Sequence, residues 1–271
     1  MLSIIISSYQ PEYFAALEKN IAETVGVPYE IIKIDNPGLM GICEAYNKGA
    51  VQASYPYLLF VHEDVEFATE NWGKTLIDRY FSLPNVGILG LAGIKRKFAM
   101  CYGYGFNNLF REELTVFVHH HKIAQRKKAL PNSPIPVKVE DGVFLAMKKE
   151  TWEELKFDET LPGFHFYDID ITLRAAEKYQ NYLVHDIDLI HFSHGNFGDE
   201  WIKAAISFNK RKYKMLDEPT STERKQIRKD WYTRLTQEKI SLKNRLRYVM
   251  EMGVDRFSRQ AMQGFLHSKT R

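Results

Sequence analysis

The amino-acid sequence predicts an α/β protein with a mostly parallel, wound sheet flanked by helices, followed by a basic helical C-terminal extension. Short apolar runs alternate with helix-like segments through the first 92 residues, which is typical of parallel strands joined by right-handed crossovers. The run Tyr57–Val61 contains only apolar and aromatic residues and suits a strand buried on both faces. We expect the α/β domain to span residues 1–202 and the extension residues 203–271.

The amino-terminal part is predicted to form alternating strands and helices. Leu2–Ser8 is an apolar run ending in hydroxyl groups. Pro11 suits the first turn of the next helix, because its missing N–H needs no partner there, and Gly26 is expected to end that helix. A second strand is expected at Tyr29–Asp35. The helix after it contains small residues that allow close packing on the sheet, namely Cys43, Ala45, Gly49, Ala50 and Ala53.

The later part is less regular. Residues 93–139 contain a basic cluster, glycine turns and prolines, which favour long loops and a hairpin near a substrate site. The other elements are expected as a helix through Trp72–Tyr80, strands at Val86–Ala92, Asp141–Met147 and Tyr182–Ile187, and helices near Thr151–Leu155 and after Asp168.

Composition excludes several protein classes. No run approaches 18 apolar residues, so no transmembrane helix is expected, and the first residues lack the features of a signal peptide. Cys43 and Cys101 have neither disulfide-framework nor metal-ligand spacing, so we expect reduced thiols in a cytoplasmic protein. No glycine-rich dinucleotide or phosphate loop occurs.

Polar residues directly follow the buried strand at Tyr57–Val61: they are His62, Glu63 and Asp64. Ligands of open α/β sheets bind beyond the carboxyl ends of the strands, where a carboxylate suits a Mg²⁺ or Mn²⁺ ion shared with a phosphate. A turn or helix cap is the alternative role for Asp64. His191 and His194 follow a later strand, and one of them is compatible with the same ion. The three histidines at 119–121 cannot all face one metal.

Two acidic residues open a later predicted helix. Asp168 stands where an N-cap would lie, and Asp170 in the first turn would interact favourably with the helix dipole. The residues alone leave these structural roles and a chemical role open.

These segments together resemble the inverting family 2 glycosyltransferases, which have the GT-A nucleotide-sugar-binding fold. The branch is similar to the one named after the streptomycin-biosynthesis glycosyltransferase domain. The likeness covers about residues 2–200 and follows the family's motifs in order. Those motifs are Ile4–Tyr9, Ile31–Asn36, Ala45–Gly49, His62–Asp64, Asp141–Gly142, Tyr167–Asp170 with Leu173–Ala175, and His191.

The resemblance implies a role for each matching position. Asp168 falls on the catalytic base, and Asp64 and His191 fall on the ligands of a Mn²⁺ or Mg²⁺ ion. Asp35 falls on the residue that reads the donor base. The remaining implied substrate-binding residues are Ser7, Ser8, Tyr9, Asn47, His62, Glu63, Asp141, Gly142 and Asp170. The implied reaction moves a sugar from a nucleotide-diphosphate donor to a glycan, lipid-linked or small-molecule acceptor.

Two positions depart from the family pattern. His62 replaces the first acid of the Asp-x-Asp motif, and Tyr167 replaces the Glu before the base. A non-catalytic nucleotide-sugar-binding domain of the same fold is therefore the alternative. A sugar-nucleotide-forming nucleotidyltransferase is disfavoured, because Ser7–Pro11 is not the glycine-rich, basic loop that such an enzyme needs to hold a triphosphate.

Charge is unevenly distributed along the chain. Residues 1–202 carry 19 Lys and Arg against 27 Asp and Glu, whereas residues 203–271 carry 18 against 7, which gives the extension a net charge of +11. Apolar residues recur there at helical spacing among the basic ones. The extension either packs on the domain or on a second subunit in a homodimer, or forms a basic amphipathic surface for an anionic membrane, with the protein peripheral to it. Nucleic acid is not an expected partner.

Overall fold

The computed structural model describes residues 1–99, 114–116, 118–120, 133–193, 195 and 197–252. The strands in these residues are β1 (Leu2–Ser8), β2 (Tyr29–Asp35), β3 (Tyr57–Val61), β4 (Val65–Phe67), β5 (Val86–Gly90), β6 (Ala92–Ile94), β7 (Leu114–Val116), β8 (Val118–His120), β9 (Ile135–Val137), β10 (Val139–Glu140), β11 (Phe144–Lys148), β12 (Gln180–Leu183) and β13 (Leu189–His191). The helices are α1 (Pro11–Thr24), α2 (Ile42–Gln52), α3 (Trp72–Thr75, continuing as a π-helical turn through Leu76–Tyr80), α4 (Lys149–Leu155), α5 (Tyr167–Ala175), α6 (Asp199–Asn209), α7 (Ser221–Gln237) and α8 (Leu242–Met252).

The central sheet has seven strands in the order β2-β1-β3-β11-β5-β12-β9. The parallel pairing of β1 with β2 and with β3 confirms the wound amino-terminal half. Strand β11 instead runs antiparallel between β3 and β5, so the sheet is mixed. The chain enters β11 beside Val61, at the carboxyl end of β3, and needs no crossover helix to do so.

The helices pack on the sheet largely as their sequences predict. Helix α1 begins with Pro11 in its first turn and buries Leu17 and Ile21. In α2, Gly49 allows the close approach expected from the small residues, because a Cβ there would lie 2.3 Å from the Ile5 side chain. Such a distance is far inside van der Waals contact, so the helix could not keep its position with a larger residue.

Two small sheets lie beside the central one. Their orders are β10-β6-β7 and β4-β13-β8. Strands β7 and β8, from the segment where a hairpin was expected, pair with β6 and β13 respectively, so these two described strands do not form a hairpin. The pairing of β13 with β4 sets His191 opposite Val65, and this register is what positions the candidate site.

The carboxyl-terminal helices pack against the α/β domain through a shared apolar cluster. Trp201 of α6 packs at a tilt on Trp231 of α7, which stacks on Tyr248 of α8, with ring centroids 5.6 Å and 4.3 Å apart. The cluster includes Phe166 and Leu173 at α5. The expected appendage therefore packs on the domain through one face. The division predicted after residue 202 falls inside α6 and stays a prediction.

Two expectations from composition concern membranes and thiols. None of the described helices is long and apolar enough to cross a bilayer. Cys43 is a buried free thiol, and burial raises its pKa to about 12. Cys101, His121 and His194 lie outside the described residues.

Candidate functional site

A cavity of about 770 Å³ lies beyond the carboxyl ends of β1, β2 and β3. This is where an open α/β sheet is expected to bind its ligand. Its lining residues come from the end of β1 and the loops after β1, β2 and β3, from α2, from the start of α5 and the segment before it, and from the segment between β13 and α6 with the start of α6: Ser7, Tyr9, Asn36, Pro37, Gly38, Ile42, Tyr46, His62, Glu63, Asp64, Phe164, His165, Tyr167, Ser193, Gly195 and Glu200.

Three potential metal ligands converge here: His62 and Asp64 line the cavity, and His191 lies against Asp64. The Asp64 Oδ1 atom lies 3.4 Å from His191 Nε2 and 4.0 Å from His62 Nδ1, and the two histidine nitrogens are 3.4 Å apart. Two imidazole nitrogens and one carboxylate oxygen form a donor set that binds divalent transition metals. The residues therefore fit the ion that the resemblance implies.

The strand register explains why residues so distant in sequence meet. Asp64 directly precedes β4, and His191 ends β13 opposite Val65. The backbone N–H of Phe192 donates to the Asp64 carbonyl at 3.0 Å, which locks the two segments together. A one-residue slip would turn His191 to the other face of this sheet.

The protonation state of Asp64 suits a ligand. Burial by itself raises the pKa of the Asp64 carboxyl. Hydrogen bonding to His191 and the charges of His191 and His62 outweigh this effect and lower the pKa to about 2. Asp64 is thus a carboxylate throughout the neutral range.

Tyr167 lies directly behind His62. Its hydroxyl is 2.9 Å from His62 Nε2 and donates to the Gly142 carbonyl at 3.1 Å. Gly142 is required here, because a Cβ at this position would lie 2.1 Å from that hydroxyl. The two residues that depart from the family pattern are therefore direct neighbours.

Asp168 and Asp141 form an acidic pair beside the same glycine. The Asp168 carboxylate accepts from the Gly142 backbone N–H at 3.0 Å. Burial and the charge of Asp141 raise the pKa of Asp168 to about 7, against a smaller opposing effect of backbone N–H groups. The N-cap of α5 is Phe166, in a left-handed conformation, so Asp168 lies in the first turn and does not occupy the cap position considered from the sequence.

The family assignment comes from a match over most of the chain. The model of the family described as "Glycosyltransferase like family" matches residues 3–227. The chain belongs to this glycosyltransferase family. The match extends through α6 and into α7, so it includes part of the predicted extension. Comparison with curated protein sequences found no match.

Solved glycosyltransferase structures share the fold. The crystal structure of GalNAc-T7 with UDP, GalNAc and Mn²⁺ superposes with a TM-score of 0.53 at 10% identity, over 88% of this chain and 51% of that one. The present chain thus aligns with about half the length of that protein. Staphylococcus aureus TarS 1–349 in complex with UDP gives 0.52 at 13% identity, over 93% and 79%, and its UDP-GlcNAc complex gives 0.52 at 12%, over 97% and 81%. The fold of this chain is GT-A.

Several of the predicted substrate-binding residues make structural bonds instead of facing the cavity. The Asn47 amide is enclosed by donors and acceptors from Trp152, Phe157 and Glu159 at 2.8–3.1 Å. Asp170 is 1% exposed and binds Arg174 and the Tyr213 hydroxyl. Both residues are outside the cavity lining.

Others lie at the same end of the sheet but differ in exposure. Ser8 is buried and its carbonyl accepts from Asn36, whereas Asp35 is exposed and pairs with Lys33 at 2.8 Å. Neither lines the cavity. Ser7 and Tyr9 do, and so does Glu63.

Glu63 has a structural function even though it faces the cavity. Its carboxylate accepts the backbone N–H groups of Tyr9 and Gln10 at 3.1–3.3 Å. These bonds hold the loop between β1 and α1 against the loop after β3. Glu63 therefore shapes the cavity wall through the backbone of its neighbour Tyr9.

Sequence reasoning missed another part of the cavity lining, which is formed by Phe164, His165 and Glu200. Phe164 is 46% exposed. Burial lowers the pKa of His165, with a smaller opposing effect of the Glu200 charge, so this imidazole is neutral at neutral pH. The sequence position of Phe164 and His165 could have indicated that they lie near the site, because they precede the Tyr167–Asp170 motif.

Proposed function

We propose that this protein is a metal-dependent, inverting glycosyltransferase that moves a sugar from a nucleoside-diphosphate donor to the hydroxyl group of an acceptor. The observation that carries the proposal is the convergence of Asp64, His191 and His62, of which Asp64 and His62 line the cavity at the carboxyl ends of the strands. Membership of the family supports the reaction class. The streptomycin-type branch stays a prediction.

In the proposed enzyme, Asp64 and His191 hold a Mn²⁺ or Mg²⁺ ion. When bound, such an ion supplies positive charge to the leaving diphosphate. Ser7 and Tyr9 line the part of the cavity nearest β1 and would contact the donor there, and Asp35 stays the predicted partner of the donor base. The UDP, UDP-GlcNAc and Mn²⁺ named for the structural neighbours are consistent with a nucleoside-diphosphate sugar.

Asp168 is the proposed general base. Its carboxylate would take the proton from the acceptor hydroxyl as that oxygen attacks the anomeric carbon from the face opposite the leaving group, which inverts the configuration. A pKa of about 7 suits this role, because a base is most effective when its pKa is near the working pH. The hydrogen bond from the Gly142 N–H holds one oxygen of the Asp168 carboxylate in place. Asp141, whose charge acts on Asp168, is proposed to form part of the acceptor site.

The acceptor is proposed to be a glycan or glycolipid at an anionic membrane surface. Helix α8 exposes Leu242, Leu246 and Met250 on one stripe, with exposed Lys243 and Arg247 beside it. An apolar stripe flanked by cations is typical of helices that lie in a membrane interface. A cytoplasmic location, a small-molecule acceptor and a homodimer stay predictions.

A donor screen tests the proposed reaction. Purified protein is incubated with UDP-, GDP- and dTDP-sugars with Mn²⁺ or EDTA, and nucleotide release is measured beside donor binding by calorimetry. We expect release that depends on the metal and falls to background in Asp64→Asn, with an unchanged thermal midpoint. Loss of folding in that variant would instead identify Asp64 as a structural cap.

The alternative is a non-catalytic nucleotide-sugar-binding domain, which the unusual His62 and Tyr167 favour. Tight donor binding without release of nucleotide, for every donor and with a range of hydroxyl acceptors, would support that alternative and contradict the proposed activity. The two measurements made on one sample therefore separate the two functions.

A further inference from the structure

The two departures from the family motifs contact each other. His62 stands where the first acid of Asp-x-Asp is expected, and Tyr167 stands where the Glu before the base is expected; they are 105 residues apart. In the structure, His62 Nε2 and the Tyr167 hydroxyl are 2.9 Å apart. A contact at hydrogen-bonding distance between two otherwise unexplained substitutions indicates that they form one functional unit.

The hydrogen-bond chain sets the tautomer of His62. The Gly142 carbonyl can only accept, so the Tyr167 hydroxyl uses its single proton to donate to it at 3.1 Å. The Tyr167 oxygen then accepts from His62, which places the ring proton on Nε2. In a neutral imidazole with its proton on Nε2, the lone pair is on Nδ1. That atom lies 3.4 Å from His191 Nε2 and 4.0 Å from Asp64 Oδ1.

We propose that His62 is a third metal ligand through Nδ1, that Tyr167 positions it, and that the resulting site prefers Mn²⁺ over Mg²⁺. The inference rests on the proposed metal-dependent function and assigns His62 to the ion, where the resemblance implied substrate contact. Neighbouring ligands of a six-coordinate ion with bonds of about 2.1 Å lie about 3 Å apart. The observed separations need only a small contraction.

The preference for Mn²⁺ follows from the donor atoms. Mg²⁺ selects oxygen ligands and near-ideal octahedral geometry, whereas imidazole nitrogen suits the later divalent metals. Compared with an aspartate ligand at the same position, His62 offers the ion a neutral nitrogen instead of a charged oxygen. A site with two nitrogens and one carboxylate therefore loses more affinity for Mg²⁺ than for Mn²⁺.

Tyr167 has the position of an outer partner that orients a ligand. Histidines bound to metals almost always donate their other ring N–H to a fixed acceptor, and loss of that acceptor typically weakens metal binding by about 10–100-fold. Here the acceptor is itself held by the Gly142 carbonyl and by packing of the ring against Tyr46 and Phe157. The hydroxyl is therefore fixed in direction.

The test measures metal binding directly. Mn²⁺ and Mg²⁺ are titrated into the full chain, alone and with UDP, by calorimetry and by Mn²⁺ electron paramagnetic resonance, with pulsed detection of imidazole ¹⁴N couplings. We expect two coupled imidazoles in the wild type and one in His62→Asp, whose preference shifts at least 10-fold toward Mg²⁺. Tyr167→Phe should weaken Mn²⁺ binding by about 10–100-fold.

A double-mutant cycle distinguishes positioning from general structural damage. Tyr167→Phe should have no further effect in the His62→Asp background, because aspartate has no ring N–H to orient. The matched control is Tyr80→Phe, which removes a buried hydroxyl whose partners are His185 and Asp186 and not the proposed ligands, and it should leave Mn²⁺ affinity unchanged.

Each contrary outcome is distinguishable. Unchanged ¹⁴N couplings in His62→Asp, or an equal effect of Tyr167→Phe in both backgrounds, would overturn the inference. The proposed function would still stand in that case if Asp64→Asn abolished Mn²⁺ binding. Equal affinity of the wild type for Mg²⁺ and Mn²⁺ would overturn the selectivity without any variant being needed. No Mn²⁺ binding, with nucleotide release unaffected by EDTA, would refute the metal dependence itself.

Discussion

Asp168→Asn is the substitution that best tests the proposed base. Asn can accept the Gly142 N–H as Asp168 does, so the local fold should persist. It cannot take a proton from an acceptor hydroxyl, and loss of general-base catalysis typically lowers turnover by about 10²–10⁴-fold. We therefore expect turnover to fall at least 10²-fold while donor binding is unchanged.

The raised pKa of Asp168 predicts that the substitution that lowers turnover, Asp168→Asn, increases stability at neutral pH. Burial and Asp141 raise this pKa from 3.8 to about 7, so between these pH values the folded protein binds more protons than the unfolded chain. Stability contributed by the protonated form is thus lost as pH rises from about 4 to about 7. A full shift of this size corresponds to about 4 kcal/mol. Because the side chain is only half-buried, we expect roughly 2 kcal/mol.

Chemical denaturation at pH 4 and pH 8, together with a pH–rate profile, measures both effects. The Asn variant should match the wild type near pH 4 and exceed it by roughly 2 kcal/mol at pH 8, and wild-type turnover should rise with pH through about 7. The control is Asp158→Asn. Hydrogen bonds and charge from Thr160 and Arg211 outweigh burial and hold the Asp158 pKa at about 2, so this variant should lose stability at pH 8 and keep its turnover.

Retention of most activity by Asp168→Asn would refute the assignment of the base. Asp141, its acidic neighbour, would then be the next candidate. A pH-independent stability difference would refute the reasoning about burial instead, because it would mean that the Asp168 pKa is similar in the folded and unfolded chains.

Three further predictions concern separate parts of the molecule. Asp141→Asn should move the midpoint of the pH–rate profile below that of the wild type, because a neighbouring charge that raises the Asp168 pKa is removed. Asn47→Ala should lower the free energy of unfolding by about 2–4 kcal/mol, measured by urea denaturation, without changing Mn²⁺ affinity, since it leaves buried partners such as Trp152 unbonded. Leu246→Glu should reduce flotation with phosphatidylserine vesicles and spare turnover on a soluble acceptor; unchanged flotation would remove the membrane role of α8.

The parts of the fold that the sequence predicts are those with a long, regular pattern. Strands β1 to β3 and helices α1 and α2 each have at least five residues, which is long enough for the apolar pattern of the element to be recognised. The antiparallel direction of β11 depends on the path of the chain and cannot be recognised from the apolar run at Phe144–Met147. Strands β4, β8 and β13 have three residues each, too few for an alternating pattern to be recognised.

The candidate site also has a part that the sequence predicts and a part that it does not. Asp64 and His191 were expected near one ion because both follow strands, and they do lie together. The register that sets His191 opposite Val65 depends on pairing between segments more than 100 residues apart and cannot be read from either one. Asn47 and Glu63 show the complementary difficulty: a polar side chain in a motif bonds equally well to a ligand or to other groups of the protein. Here Glu63 accepts from backbone N–H groups, and Asn47 bonds to both backbone and side-chain groups.

Gly142 connects the proposed base to the proposed metal centre through a single residue. Its N–H binds the Asp168 carboxylate and its carbonyl binds the Tyr167 hydroxyl, which contacts His62. Gly142→Ala would place a methyl group 2.1 Å from that hydroxyl, so either the ring or the glycine must move. We expect this one change to reduce both Mn²⁺ affinity and turnover at saturating Mn²⁺, whereas Tyr167→Phe reduces only the first and Asp168→Asn only the second. If Gly142→Ala weakened Mn²⁺ binding but kept full turnover at saturating metal, base and metal centre would be positioned independently.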